Sequence, residues 1–154
     1  MSATDPLTEL YHYRRISPEI ATSGQPTEEQ FQRIAAQGIQ AVINLGLTDA
    51  DYALPDEQGL VQSMGLSYLH IPVQWEHPTL KNFQDFLAAM RRYNDRSLLV
   101  HCAANFRVSC FMALYHVFED GWIPEQAMAD LKAVWSPNQV WQNFIATVLE
   151  RGIE

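Results

Sequence analysis

The sequence predicts an α/β domain, with a mostly parallel central sheet flanked by helices. Three observations carry this. Residues 41–45 (AVINL) and 97–101 (SLLVH) are short, nearly continuous apolar runs, as in strands buried on both faces. Between such runs lie segments with apolar residues at helical spacing, clearest in Leu80, Phe83, Phe86, Leu87 and Met90. Helix start and stop signals separate the two, with no internal repeat, low-complexity tract or linker.

Residues 1–10 read as a loose terminus. Residues 11–16 and 19–22 read as short edge strands, and SGQP at 23–26 as a turn. Thr27 and Gln30 have capping-box spacing and open a helix with Phe31, Ile34 and Ala35 on its buried face. Gly38 ends it. After the 41–45 strand and a loop at 46–53, Pro55 suits the first turn of a helix that Gly65 stops. Residues 67–73 (SYLHIPV) form the next expected strand, followed by a loop at 74–78. Thr79 caps the amphipathic helix. Beyond the 97–101 strand, residues 107–120 are apolar almost all round, as for a helix packed inside the fold, and Gly121 breaks it. Two more helices are expected over about 124–135 and 137–152, the last with Val140, Phe144, Val148 and Leu149 on one side.

The length of 154 residues suits one domain, 1–154, and 47% apolar against 18% charged residues supplies a core. Net charge is −8 and the basic residues are scattered, which argues against a nucleic-acid or anionic-membrane surface. An anion site must then be local. The two cysteines, Cys102 and Cys110, make neither a disulfide framework nor a zinc pattern, and no metal or cofactor is expected. The first residues lack an apolar segment behind a basic one, and no apolar run approaches the roughly 20 residues that span a bilayer. A soluble cytoplasmic protein is the expectation.

The chemistry concentrates in SLLVHCAANFRVSC. Cys102 follows a buried strand, at the end where open α/β sheets bind ligands. A helix starting near Phe106 would aim its N-terminal amides at the Cys102 sulfur, favouring a thiolate and a bound anion. Ala103 and Ala104 are small enough for the loop backbone, with Asn105 and Phe106, to wrap a phosphate-sized group. Arg107 supplies a planar fork for two oxygens, and Ser109 a hydroxyl for the sulfur. His101 points to the opposite face of its strand and is expected to fix the loop. Cys110, on an apolar helix, reads as core.

The segments ATSGQPTEEQFQRIAAQGIQAVINL, GLSYLHIPVQWEHPTLKNFQDFLAAM and LLVHCAANFRVS, in that order, resemble bacterial phosphatases of the protein-tyrosine and dual-specificity cysteine phosphatase superfamily, above all the beta-lactamase hydrolase-like group. The likeness covers roughly residues 13–118. It implies the cysteine-phosphatase fold of the phosphotyrosine protein phosphatase II type. It also implies a reaction: Cys102 attacks phosphorus to form phosphocysteine, the loop amides and Arg107 hold the oxygens, and a carboxylic acid protonates the leaving group. The substrate would be a phosphoprotein or a phosphorylated small molecule. Relatives tend to carry the acid in the loop after HIPV, where Glu76 stands; the residue reads equally as a surface glutamate near a helix N-terminus. Asp49, Asp51 and Asp56 are the fallback acids.

One departure is plain. The superfamily signature has five residues between Cys and Arg, and this chain has four. Val108 occupies the expected arginine position, Ser109 the expected hydroxyl position, and Arg107 is displaced by one place, about 100° around a helix. Two other readings therefore stay open: a weakly catalytic relative that binds an anion, and a rhodanese-like sulfurtransferase, whose loop has this shorter length.

Overall fold

The computed structural model describes residues 5–154, in which five strands and six helices form. The sheet order is β1 (Arg14–Ser17), β2 (Ile20–Ser23), β5 (Leu98–His101), β3 (Ala41–Asn44), β4 (Ser67–His70). The pair β1–β2 is antiparallel and the other pairs are parallel. Central β5 is bonded on both sides: His101 lies opposite Ser23 of β2 and Asn44 of β3.

Side-chain alternation splits each inner strand between two cores. Leu98, Val100 and Cys102 face one, with Ala41 and Ile43. Leu99 faces the other, with Ala21 and Val42. The first core is roofed by α3 (Leu80–Arg92), α4 (Phe106–Phe118), α5 (Pro124–Lys132) and α6 (Gln139–Arg151). The second lies under α1 (Glu28–Ala36) and α2 (Glu57–Ser63). Both threonine caps form as the sequence predicts, each with a reciprocal capping box. Helix α4 is buried on nearly every side.

Several expectations shift. Residues 1–4 lie outside the described residues. Residues 5–10 are not loose, because Leu7 and Leu10 are buried in the second core and the Asp5 carboxylate is bonded to Arg15 and Tyr13. Strand β2 is interior; only β1 is an edge on that side. Pro55 precedes α2, and Asp56 is its N-cap, accepting from the Gly59 N–H at 3.0 Å. In α6 the buried stripe is Trp141, Phe144, Ile145 and Val148, one position round from the predicted one, and Val140 is exposed.

Phe111 of α4 lies at the centre of the first core. Its ring is 5.6 Å from Phe83 and 5.5 Å from Phe86 of α3, and 5.8 Å from Phe144 of α6. Phe111→Ala should therefore destabilise the protein by about 3–5 kcal/mol in urea unfolding. A loss under about 1 kcal/mol would mean that the three helices close over the gap.

Candidate active site

The end of β5 is held from both sides. The Leu45 N–H donates to the His101 carbonyl at 2.8 Å, and the Gln25 N–H donates to the Ala103 carbonyl at 3.0 Å. Gly24 presses so close that a Cβ there would lie 2.6 Å from the Ala103 oxygen. The GQP turn is thus one wall of the cysteine loop and requires glycine for close approach.

The loop turns at Asn105, which is left-handed at φ 67°, and α4 begins with the next residue. Asn105 does not cap the helix with its side chain. Its Nδ2 instead donates to the His12 carbonyl at 2.8 Å and to Thr22 Oγ1 at 3.1 Å. Its side chain therefore holds the loop from behind, and the first turn of α4 is left without a side-chain cap. His12, also left-handed at φ 49°, donates from Nδ1 to the Ala104 carbonyl at 2.8 Å.

Cys102, Ala103, Ala104, Phe106 and Arg107 line one pocket of about 280 Å³ with Trp75. The displaced arginine therefore does share a pocket with the cysteine, and Val108, at the expected position, is wholly buried in the first core. Arg107 is itself 6% exposed. Its guanidinium carbon lies 6.0 Å from the Tyr52 ring centre and 5.6 Å from that of Trp75. One terminal nitrogen stands 3.5 Å from the Tyr52 hydroxyl. Among the described residues, Nε has no partner and no carboxylate pairs with the group.

The Ser109 hydroxyl donates to the Phe106 carbonyl at 2.8 Å and accepts from the Trp135 indole N–H at 3.1 Å. That proton is committed within α4 rather than offered to sulfur. Trp135 in turn stacks on Phe106 at 4.5 Å, and Trp75 packs 5.4 Å from Trp135, so the pocket mouth is aromatic. Glu76 is not brought to the pocket. It is exposed and borders a separate groove with His77, Val140 and Asn143. Asp49 and Asp51 are exposed in the 46–53 loop.

Behind the loop lies a pair that sequence reasoning missed. His101 is fully buried, and its Nε2 donates to Glu57 Oε2 at 2.6 Å. Gln25 Nε2 donates to the other Glu57 oxygen at 2.6 Å. Burial alone would raise the Glu57 carboxyl; the His101 and Gln25 contacts hold it below its usual 4.5. The signal available was the alternation that turns His101 to the face opposite Cys102, where a buried imidazole needs a partner. Cys110 is also buried, and burial pushes its thiol up, so it offers no competing thiolate.

Removing one partner of the buried pair strands the other. Glu57→Ala should cost about 3–5 kcal/mol in chemical denaturation at neutral pH. Because the folded value lies below 4.5, the contribution is complete above about pH 4.5 and is lost as the pH falls through that lowered value. Wild type should therefore lose part of its stability below pH 4.5 that Glu57→Ala no longer has to lose. Parallel stability curves for the two proteins would contradict this.

A family model described as DSP-PTPase phosphatase fused to NAD+ kinase matches residues 13–143. Two beta-lactamase hydrolase-like proteins, from the Temecula1 and 9a5c strains of Xylella fastidiosa, are 31% identical over 107 residues, covering 68% of this chain and 25% of theirs. The chain thus spans about a quarter of the length of these curated relatives. A candidate phosphatase (DUF442) from Shewanella putrefaciens CN-32 is 32% identical, with a TM-score of 0.84 over 94% of this chain and 95% of that one. P. aeruginosa TpbA in complex with pTyr is 16% identical, with a TM-score of 0.72 over 94% of this chain and 86% of that one, a likeness of fold. No helix among the described residues is long and apolar enough to cross a membrane. With 131 consecutive residues under one family model and the cysteine loop among them, this chain belongs to the DSP-PTPase phosphatase family described as fused to NAD+ kinase.

Proposed function

We propose that the chain hydrolyses a phosphomonoester through a phosphocysteine on Cys102. The observation that supports this most strongly is Arg107: a buried guanidinium without a carboxylate, in the same pocket as Cys102. A buried charge without a partner is costly, so the site is suited to an anion that supplies the missing charge. In the first step the Cys102 thiolate attacks phosphorus, the bond to the ester oxygen breaks, and the leaving oxygen takes a proton from water at the open pocket mouth. In the second step water attacks phosphorus and gives up a proton to solvent, the P–S bond breaks to return the thiolate, and orthophosphate leaves. The first-turn amides of α4 and Arg107 hold the three equatorial oxygens through both steps.

Wall chemistry narrows the substrate. One cation serves the pocket, and Phe106, Trp75 and Trp135 form its rim. That favours a single phosphoryl group on an aromatic or apolar alcohol over a polyphosphorylated one, and pTyr bound by a protein of like fold accords with it. A phenolate leaves with less protonation than an alkoxide. Glu76 reaches a leaving group only if the 74–78 loop turns it from its present groove towards Cys102.

Phosphate release from an aryl phosphate tests the reading. Cys102→Ser should abolish turnover, and Arg107→Ala should lower kcat/KM by about 100- to 1,000-fold. Release that survives Cys102→Ser overturns the thiolate mechanism. Thiocyanate formed from thiosulfate and cyanide, without phosphate release, assigns the loop to sulfur transfer. Glu76→Gln should lower kcat and flatten the pH profile if that carboxyl is the acid; an unchanged profile removes it from the reaction.

A further inference from the structure

Arg107 reaches the Cys102 pocket from a position one place short of the usual one, and its side chain must be held there. Arginine has a long, rotamer-rich side chain, so a guanidinium left free would be ordered only by the anion itself. Two aromatic rings bound it, Tyr52 at 6.0 Å and Trp75 at 5.6 Å. A π face attracts the cation without neutralising it. Of the two residues, Tyr52 also carries a hydroxyl, and its surroundings are specific.

Tyr52 lies in the 46–53 loop after β3, beyond the carboxyl end of the sheet. Its ring packs on Gly46, where a Cβ would lie 3.2 Å from both Cε1 and the hydroxyl oxygen. The Gly46 N–H is in turn held by Asn44 Oδ1 at 2.7 Å. The phenol oxygen accepts from the Leu47 N–H at 2.8 Å and faces an Arg107 terminal nitrogen at 3.5 Å. Both neighbours are donors. Among the described residues nothing accepts the phenol proton, and it cannot point at either donor. It is left for an acceptor that a ligand on Arg107 would bring.

We propose that Tyr52 is the positioning residue for Arg107 and that its hydroxyl donates to the oxyanion held over Cys102. This rests on the phosphatase reading above. The ring sets the guanidinium before substrate arrives, and the hydroxyl adds a donor that Ser109, bonded to the Phe106 carbonyl, does not supply. Gly46 and the Asn44 side chain fix the phenol, so the chain of support runs from β3 through the loop to the anion.

The experiment has two readouts: kcat and KM for an aryl phosphate, and affinity for inorganic phosphate measured by calorimetry on the Cys102→Ser protein. Tyr52→Phe, which keeps the ring, should lower kcat/KM about 10- to 100-fold and weaken phosphate binding about tenfold, with the melting temperature lowered by no more than about 2–4 °C for the lost Leu47 N–H bond. Tyr52→Leu should lose more in both. On an Arg107→Lys background, which lacks the planar fork, Tyr52→Phe should cost far less than in wild type, since residues acting as a unit are not additive. Equal losses on both backgrounds, or a Tyr52→Phe protein as active as wild type, overturn the proposal and leave the phosphatase reading standing. A wild type that neither turns over nor, as Cys102→Ser, binds phosphate sinks both. If Tyr52→Leu fails to fold, the Tyr52→Phe pair of measurements still decides.

Discussion

Everything at the site depends on β5 being buried on both faces between parallel neighbours. A strand in that position must send successive side chains into different cores. Val100 goes to the helices that include α4, and Leu99 to those of α1 and α2. The alternation continues past the strand's end. Cys102 therefore emerges towards α4 and the pocket, while His101 is driven to the other side, where Glu57 of α2 receives it. Thiol and imidazole are adjacent in sequence, yet the sheet lies between their surroundings. His101 bears on the loop from behind and does not share the pocket.

The two buried basic groups near the loop are treated in opposite ways. His101 meets a carboxylate that also accepts from Gln25, so that pair is closed and satisfied. It ties α2, the GQP turn and the end of β5 into one unit. Arg107 is bounded by π faces and a phenol, none of which cancels its charge. In a chain of net charge −8, a lone cation in an aromatic pocket is a local feature that the overall field does not provide. The closed pair gives the loop its rigidity, and the open cation gives the pocket its preference for anions.

Much of this was legible in the sequence. Short apolar runs located β3 and β5 because burial on both faces leaves few polar positions, whereas interior β2, ending in buried Thr22 and Ser23, reads as an edge. Thr27 and Thr79 announced their helices because capping is local chemistry. The resemblance carried the fold and the loop. Less legible was whatever depended on distance across the fold. Glu57 sits 44 residues from His101, and nothing local marks it as a partner. Tyr52 lies in the 46–53 segment, whose composition marks only a loop. Glu76 follows Trp75 in sequence, but the two form the tip of a turn closed by the His77 N–H on the Gln74 carbonyl, and only Trp75 lines the pocket. The loose-terminus reading failed for a related reason: Leu7 and Leu10 find a core that the sequence around them does not reveal.

The displaced arginine is resolved by helix phase rather than by counting from the cysteine. The Ser109 N–H bonds back to the Asn105 carbonyl at 2.9 Å, so the helical frame is set at Asn105, where the left-handed turn redirects the chain. In that frame the second helical residue, Arg107, faces the pocket, and the third, Val108, is rotated about 100° into the core. An arginine at the usual sixth position would here be buried among apolar side chains with its charge unmet. The serine obeys the same phase. Counted from Cys102 it stands where the family's hydroxyl belongs, but the helix turns it to Phe106 and Trp135. A shorter step from Cys102 to the arginine thus keeps the guanidinium in the pocket while the serine hydroxyl is committed to Phe106 and Trp135, so a further donor to an anion would have to come from outside the loop, where Tyr52 stands beside Arg107.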